Sequence, residues 1–171
     1  MKILVFTMLT AFLLPYSPEV SEPFIIVNKS INQLALFDDG KLEEVYPVAS
    51  GATEELTPTG LFTITVKAKD PYYRKKDIPG GNANNPLGTR WVGFDAEGTD
   101  GRIFGVHGTN QPDSVGKYVS NGCIRMYNKQ VESLYERVPT GSKILVVDTG
   151  KSFKDLYENY LQEQVQNKFN Y

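Results

Sequence analysis

Two side chains that could do chemistry occur once each in the sequence: the thiol of Cys123 and the imidazole of His107. Both lie next to a glycine, and Cys123 follows sixteen positions after His107, so the chain can fold back and bring the imidazole to the thiol. A thiol acts as a nucleophile when a base or a cationic neighbour favours the thiolate. The pair therefore predicts acyl transfer, with Cys123 as nucleophile and His107 as base.

The neighbours of Cys123 fit the other needs of this reaction. Attack on a carbonyl creates an oxyanion, which backbone N–H groups can stabilise. Gly122 has no Cβ, so the N–H groups of Gly122 and Cys123 can approach a substrate oxygen closely. Arg125 adds positive potential and can bind a substrate carboxylate in a bidentate pair.

The composition gives less support to other classes of function. One cysteine cannot form an internal disulfide, and one cysteine with one histidine is too few for a closed zinc site. The net charge is −2, from 18 basic and 20 acidic side chains, so no nucleic-acid partner is indicated. A lone cysteine is often a small buried residue and a lone histidine a structural one, so a structural role is the alternative at both positions.

The N-terminal segment has the pattern of a signal peptide. Lys2 is followed by thirteen residues, 3–15, with no charge and few polar groups. That length matches the apolar core of a secretory leader and is shorter than the roughly 20 residues of a membrane span. We expect residues 1–22 to be a signal peptide of an exported protein, although no clean small-x-small triplet marks the cleavage site. An uncleaved anchor or a buried N-terminal strand is the alternative.

Hydrophobic patterns past the leader predict many short strands. We expect them at 24–30, in a hairpin over 32–51 that turns at Asp39-Gly40, and at 61–70, 90–94, 101–108 and 142–147. In the strand at 61–70, Phe62, Ile64 and Val66 alternate and should share one face. Residues 116–125 are expected to form a loop.

Two helices complete the predicted elements. The first covers 128–138 with Asn128 as N-cap, and its apolar stripe consists of Val131, Leu134, Tyr135 and Val138. The second, at 151–169, is amphipathic and should dock on the domain. Together these patterns are typical of a mostly β fold, a sandwich or a barrel-like sheet, with one domain over 23–148 and a C-terminal amphipathic helix within 149–171.

The segment 71–90 is dense in Pro, Gly and Asn, so it cannot form regular structure. The nearby aromatic residues Tyr72, Tyr73 and Trp91 argue against disorder. Long loops in compact domains are often functional. We expect a lid or a wall of the substrate cleft, with an ordinary surface excursion as the alternative.

Around the catalytic candidates the chain resembles the L,D-transpeptidases of the bacterial cell wall. The family's HGT and SxGCxR segments correspond to residues 107–109 and 120–125. Other similar segments are VASG at 48–51, TPTGLF at 57–62, NPLGTRW at 85–91 and LYERVPTG at 134–141. The resemblance extends over residues 24–147.

This resemblance implies a β-rich catalytic domain that acts on peptidoglycan stem peptides in the cell wall or extracytoplasmic space of a bacterium. Cys123 would attack the carbonyl of the third residue of a tetrapeptide stem, release D-alanine and form a thioester. An amine of a neighbouring stem would resolve the thioester as a 3→3 cross-link. His107 would act as base and then as acid, and the Gly108 carbonyl would orient its ring. The amides of Gly122 and Cys123 would form the oxyanion hole.

The resemblance also implies a set of substrate-binding residues: Arg125, Ser120, Trp91 and Thr109. It implies no metal or cofactor, and it makes carbapenem-type compounds possible acylating inhibitors of a protein expected to be a monomer. Two positions depart from the family pattern. Asn121 stands where many members have a histidine, which leaves His107 as the sole imidazole, and Gln130 stands where many have an acidic residue.

Three other functions remain open at this point. Water as acceptor would make the same enzyme an L,D-carboxypeptidase. A sortase-like transpeptidase would also be exported and β-rich, but the short spacing from Cys123 to Arg125 disfavours it. A non-catalytic wall protein could keep the fold, although the intact His107, Gly122 and Cys123 argue against it.

Overall fold

The computed structural model describes residues 22–169, and over that range the chain is mostly β, as predicted. The predicted leader lies outside the described residues apart from Glu22, as do residues 170 and 171. The strands of the described range are β1 (Phe24–Asn28), β2 (Gln33–Asp38), β3 (Lys41–Pro47), β4 (Ser50–Gly51), β5 (Gly60–Lys69), β6 (Arg90–Phe94), β7 (Phe104–His107), β8 (Tyr118–Ser120), β9 (Ile124–Arg125) and β10 (Lys143–Val147). The α-helices are α1 (Asn128–Arg137) and α2 (Phe153–Phe169).

Eight of these strands form one curled sheet in the order β3-β2-β1-β10-β5-β6-β7-β9. Most neighbours are antiparallel, but β1 pairs with β10, and β7 with β9, in parallel. The strands β4 and β8 form a separate parallel pair. Strand β9 is therefore an edge strand of the large sheet, and it lies beside the end of β7.

One face of this sheet packs against α1 and forms the main core. Val131 and Leu134 of α1 are buried there, together with Val92 of β6, Val106 of β7 and Ile124 of β9. The apolar stripe predicted for this helix is thus confirmed. Because side chains alternate along a strand, the residues next to Val92, Val106 and Ile124 in sequence lie on the opposite face.

Helix α2 packs on that opposite face, at the other half of the sheet. Its ring of Tyr157 stacks on Phe37 of β2 with centroids 4.2 Å apart, and Tyr160 stacks on Phe24 of β1 at 4.1 Å. The helix begins later than predicted because Ser152 caps it, accepting the Asp155 N–H at 3.2 Å. The amphipathic C-terminal segment therefore docks on the domain, as expected from its pattern.

The prediction of a loop over 116–125 is wrong, because two short strands lie there. Strand β8 pairs with β4, and β9 pairs with β7. Arg125 of β9 also exchanges two backbone hydrogen bonds with Ala49, each 2.9 Å long. Strands of two or three residues are too short to produce a recognisable alternation, so their existence depends on long-range pairing.

The predicted face of Val66 is also wrong. The pairing of β5 with β6 shifts between Ile64 and Val66, so that Lys67 comes opposite Val92. One extra residue in a strand exchanges the faces of all later side chains. Val66 therefore does not continue the face of Phe62 and Ile64.

Within residues 22–169, no helix has both the length and the apolar character needed to span a membrane.

Candidate active site

The register of β7 and β9 brings the two catalytic candidates to one face of the sheet. In this parallel pair His107 lies opposite Arg125, and Val106 opposite Ile124. One step further back along both strands sets Cys123 beside Gly105. Alternate residues of a strand share a face, so the imidazole and the thiol are diagonal neighbours on the face away from α1.

The imidazole of His107 is fixed by its surroundings. The ring is buried and stacks on Trp91 of the neighbouring strand, with centroids 5.6 Å apart and planes 16° from parallel. Its Nδ1 lies 2.5 Å from the carbonyl oxygen of Gly108. A carbonyl can only accept a hydrogen bond, so Nδ1 carries the proton of the neutral ring and Nε2 keeps its lone pair.

Both members of the pair are uncharged at neutral pH. The pKa of His107 is lowered to about 4, chiefly by burial; the backbone hydrogen bond to Gly108 raises it, the Arg125 charge lowers it, and a backbone hydrogen bond to Leu87 raises it slightly. Burial raises the pKa of the Cys123 thiol, against smaller lowering effects of the Gly105 backbone, Lys75 and Arg125. The resting site therefore pairs a thiol with a neutral imidazole, which is the protonation state that a general base requires.

The thiol is accessible from one side. Cys123 is partly exposed, and its Sγ donates a hydrogen bond to the carbonyl of Ile103 at 3.3 Å. The Ile103 side chain is itself exposed at the rim of the site. Cys123 is thus not fully enclosed by the core.

The turn that precedes Cys123 is held by hydrogen bonds on both sides. The hydroxyl of Ser120 accepts the Gly122 N–H at 3.1 Å and donates to the Cys123 carbonyl at 2.5 Å. The hydroxyl of Thr57 donates to the Gly122 carbonyl at 3.1 Å. The Gly122 N–H thus has a partner within the chain, and its role in an oxyanion hole stays a prediction.

The segment after His107 is fixed by the side chain of Asn128. Its amide oxygen accepts the Thr109 N–H at 3.1 Å, and its amide nitrogen donates to the Thr109 carbonyl at 3.2 Å. The sequence analysis predicted Asn128 as the N-cap of α1, and this prediction is wrong. The N-cap is Tyr127. Gly88 lies against the same point, because a Cβ there would be 2.5 Å from the Thr109 nitrogen.

The four predicted substrate-binding residues occupy two kinds of environment. Arg125 lines an open groove of about 600 Å³, whose other lining residues are Asn110, Gln111, Pro112, Asp113, Ser114, Lys117 and Val119. By contrast, Trp91, Thr109 and Ser120 are only 7%, 4% and 1% exposed. Their polar groups bond within the chain, and Trp91 donates to the Gly101 carbonyl at 2.8 Å. Their positions suit holding the site in shape.

The segment 71–90 lies close to the site and has little regular structure, apart from one 3-10 turn at Arg74–Lys76 and the first residue of β6. Asn85 ties it together, donating to the carbonyls of Pro71 at 2.8 Å and Pro79 at 3.2 Å. The charge of Lys75 lowers the pKa of the Cys123 thiol, so this segment lies near the thiol, at the rim of the cleft. A role as lid or wall remains a prediction.

The buried Thr57 and the half-buried Asn128 support the site in ways that the sequence analysis did not identify. Thr57 lies in the TPTGLF segment, and its hydroxyl contacts the turn before Cys123. Asn128 was interpreted as a cap although it binds the Thr109 backbone. The one available signal was that Thr57 begins one motif marked by the resemblance, at 57–62, and that Asn128 follows another, at 120–125. Over residues 22–169, no group of three or more His, Cys, Asp or Glu side chains is arranged to bind a metal ion.

The sequence and the fold match those of known proteins. A family model for the L,D-transpeptidase catalytic domain matches residues 22–146. The chain is 56% identical over 140 residues to the putative L,D-transpeptidase YqjB of Bacillus subtilis, covering 82% of this chain and 80% of the relative. It is 34% identical over 134 residues to YkuD of the same species, named in the same way, covering 75% and 71%.

A solved structure shows the same fold. L,D-transpeptidase 3 from Mycobacterium tuberculosis, in complex with a faropenem-derived adduct, superposes with a TM-score of 0.58 at 21% identity, covering 74% of this chain. This chain spans 60% of the length of that protein. The chain belongs to the L,D-transpeptidase catalytic domain family. That membership sets aside the sortase-like alternative.

Proposed function

We propose that this protein is an exported L,D-transpeptidase that forms 3→3 cross-links in bacterial peptidoglycan through a thioester on Cys123. The observation that supports the proposal is the register of β7 and β9, in which His107 lies opposite Arg125. Cys123, two residues before Arg125, is then a diagonal neighbour of His107 on the same face. Family membership supports the reaction class. A tetrapeptide stem is then the donor, and an amine on the third residue of a second stem is the acceptor.

The first half-reaction forms the acyl-enzyme. Nε2 of His107 takes the proton of the Cys123 thiol while the sulfur attacks the carbonyl carbon of the third stem residue. The resulting oxyanion collapses, the bond to the D-alanine nitrogen breaks, and His107 returns the proton to the leaving amine. The hydrogen bond from Nδ1 to the Gly108 carbonyl supports the imidazolium that forms in between.

The second half-reaction transfers the acyl group. The acceptor amine attacks the thioester carbonyl, and His107 takes a proton from the attacking nitrogen. The carbon–sulfur bond then breaks, and the proton passes to the departing Cys123 sulfur. An amide links the two stems, and both catalytic residues return to their starting state. Water in place of the amine would give an L,D-carboxypeptidase.

The four other site residues take two roles in this proposal. Arg125 lines the open groove and in this proposal binds a stem carboxylate. Trp91 stacks on the imidazole and keeps its plane, while Ser120 and Thr109 fix the backbone on either side of the pair. Trp91, Ser120 and Thr109 would therefore influence substrate binding only through the shape of the site.

β-Lactams are expected to acylate the same sulfur. The solved structure of the related M. tuberculosis protein carries a faropenem-derived adduct. A β-lactam carbonyl is attacked as a stem carbonyl would be, so Cys123 should be the residue modified here.

The proposal of export is supported by the proposed substrate and by the apolar segment at 3–15, which lies outside the described residues.

Product analysis with a purified disaccharide tetrapeptide tests the function. We expect cross-linked dimers and released D-alanine with the wild-type protein, and neither product with Cys123→Ala that circular dichroism shows to be folded. Tripeptide alone would identify a carboxypeptidase. Full activity of Cys123→Ala would contradict the proposed nucleophile, and an inert wild type would favour a non-catalytic wall protein.

A further inference from the structure

A buried threonine outside the catalytic strands contacts the turn that carries the nucleophile. Thr57 is 1% exposed. Its hydroxyl accepts the Gly51 N–H at 2.8 Å and donates to the Gly122 carbonyl at 3.1 Å. The hydroxyl therefore has a defined donor on one side and a defined acceptor on the other, and it cannot rotate freely.

The bond to the Gly122 carbonyl fixes the direction of the next N–H group. The peptide unit between Gly122 and Cys123 is planar and trans, so its oxygen and its hydrogen point in opposite directions. While the oxygen points at Thr57, the Cys123 N–H points away from Thr57. A rotation of this peptide would redirect the Cys123 N–H and break the bond to Thr57 at the same time.

The Cys123 N–H matters because its neighbour is occupied. The Gly122 N–H donates to Ser120, so the developing oxyanion depends on the Cys123 N–H. The shape of this turn also requires a glycine at position 122. Gly122 has φ +121°, a conformation that other residues rarely adopt, and a Cβ there would be 2.4 Å from the Leu56 carbonyl oxygen.

The segment that carries Thr57 is itself anchored by a buried lysine. Lys29 is 7% exposed, and its ammonium donates to the Thr57 carbonyl at 3.1 Å and to the Glu54 carbonyl. Asp148 lies 3.9 Å from the same ammonium. A buried ammonium with these partners is costly to displace, so Lys29 holds the segment 54–57 in its position against Gly122.

We infer that Thr57 is a positioning residue for acyl transfer: its hydroxyl orients the Gly122–Cys123 peptide so that the Cys123 N–H receives the oxyanion, and Lys29 fixes the segment on which Thr57 lies. This inference rests on the proposed function, because an oxyanion forms only if Cys123 attacks a carbonyl. It assigns no contact between Thr57 and the substrate.

The test compares two reactions of the same thiol in the full-length protein. Acylation by faropenem passes through an oxyanion, whereas alkylation by iodoacetamide occurs at a saturated carbon and does not. In Thr57→Val, which removes the hydroxyl and keeps the shape, we expect acylation to slow by about 10-fold to 100-fold and alkylation to stay within about twofold. Thr57→Ser should restore the acylation rate.

Two further variants sharpen the comparison. Thr99→Val removes another hydroxyl that donates to a backbone carbonyl, that of Ala96 at 2.8 Å, and should leave both rates unchanged. Lys29→Met loosens the same segment without altering Thr57 and should repeat the selective loss of acylation, so the result does not depend on one variant folding well.

Two results would overturn the inference: an unchanged acylation rate in Thr57→Val, or an equal fall of acylation and alkylation, which indicates general disorder of the site. Failure of the proposed function looks different, since wild-type Cys123 would then react with iodoacetamide but would not be acylated by faropenem or by a tetrapeptide stem.

Discussion

At the scale of single residues, the chemistry depends on two groups that are both uncharged at rest. Burial raises the pKa of the Cys123 thiol and lowers the pKa of the His107 imidazole. A preformed thiolate–imidazolium pair is therefore disfavoured. In the proposed mechanism the proton therefore moves from Cys123 to His107 as the sulfur attacks, with His107 acting as a general base in the transition state.

The first prediction concerns the pH dependence of acylation. The base works only while His107 is neutral, and its pKa is about 4, so acylation should persist through mildly acidic pH and fall as the pH drops through about 4. The acylation rate with faropenem can be measured by stopped flow over about pH 3.5 to 8, roughly the range in which a protein stays folded. A midpoint near the ordinary histidine value of 6.5 would contradict it.

The same pKa predicts a change in folding stability. In the unfolded chain the pKa of His107 has its ordinary value of 6.5, whereas in the folded protein it is about 4. As the pH falls between these two values, only the unfolded state takes up a proton, so the free energy of unfolding decreases. The contribution of His107 is complete above pH 6.5 and decreases by about 3 kcal/mol by pH 4. Urea unfolding of the wild type and His107→Gln at several pH values measures it. An equal pH slope in both proteins would contradict the prediction.

At the scale of elements, the loop before β6 and the start of α1 converge on the backbone that orients His107. A Cβ on Gly88 would lie 2.2 Å from the Asn128 amide oxygen and 2.6 Å from the Gly108 carbonyl carbon. Gly108 provides the acceptor for Nδ1. Any displacement of this contact therefore changes the orientation of the base.

The chain offers a matched pair of glycines to test this contact. Gly88 and Gly81 lie in the same loop with φ +62° and +75°, but a Cβ on Gly81 would meet nothing within 4 Å. Gly81→Ala should cost about 1 kcal/mol of backbone strain and leave acylation unchanged. Gly88→Ala should also slow acylation, by about 100-fold for a displaced base. Thermal unfolding and acylation rates separate the two effects, and equal acylation rates in both variants would contradict this account.

The elements differ in how far the sequence determines them. The hairpin turn at Asp39-Gly40 was predictable because a two-residue turn requires left-handed conformations, and the structure has φ +48° and +74° there. Strand β9 was not predictable, since its two residues are ordered by Ala49 and β7. The bulge in β5 has no local signature, because only the partner strand reveals the extra residue.

The site shows the same division. Cys123 and His107 could be chosen as candidates from their types and their glycine neighbours, since cysteine and histidine occur once each in this sequence. The occupation of the Gly122 N–H by Ser120 could not be found, because it depends on a side-chain rotamer within a turn. The role of Asn128 was missed because the favourable start of a helix offered a simpler use for it.

At the scale of the whole molecule, the site and the C-terminal helix use the same face of the sheet at opposite ends. The cluster under α2 consists of Phe24, Ile26, Ala35, Phe37, Leu156 and Tyr157. The sheet is therefore covered by α1 on one face and partly by α2 on the other. In the half of the sheet that contains β6, β7 and β9, the candidate site lies on the face away from α1.

This division predicts that α2 stabilises the fold without taking part in the reaction. Tyr157→Ala removes a ring that stacks on Phe37 at 4.2 Å and should lower the free energy of unfolding by about 3–5 kcal/mol. The folded fraction should acylate at the wild-type rate. Glu158→Ala, on the exposed side of α2, should change the free energy of unfolding by less than about 0.5 kcal/mol. Similar losses in both variants, measured by urea unfolding, would show that α2 is not packed as described.

In the proposed reaction Cys123 carries the acyl group of the stem peptide. The most direct measurement is mass spectrometric peptide mapping of the wild-type protein, quenched at low pH during reaction with a tetrapeptide stem and no acceptor. We predict one modified peptide, the one that contains Cys123, with the mass of the stem less D-alanine and with loss of the adduct on hydroxylamine treatment. Release of D-alanine without a thioester on Cys123, or an adduct that persists in Cys123→Ala, would contradict the account.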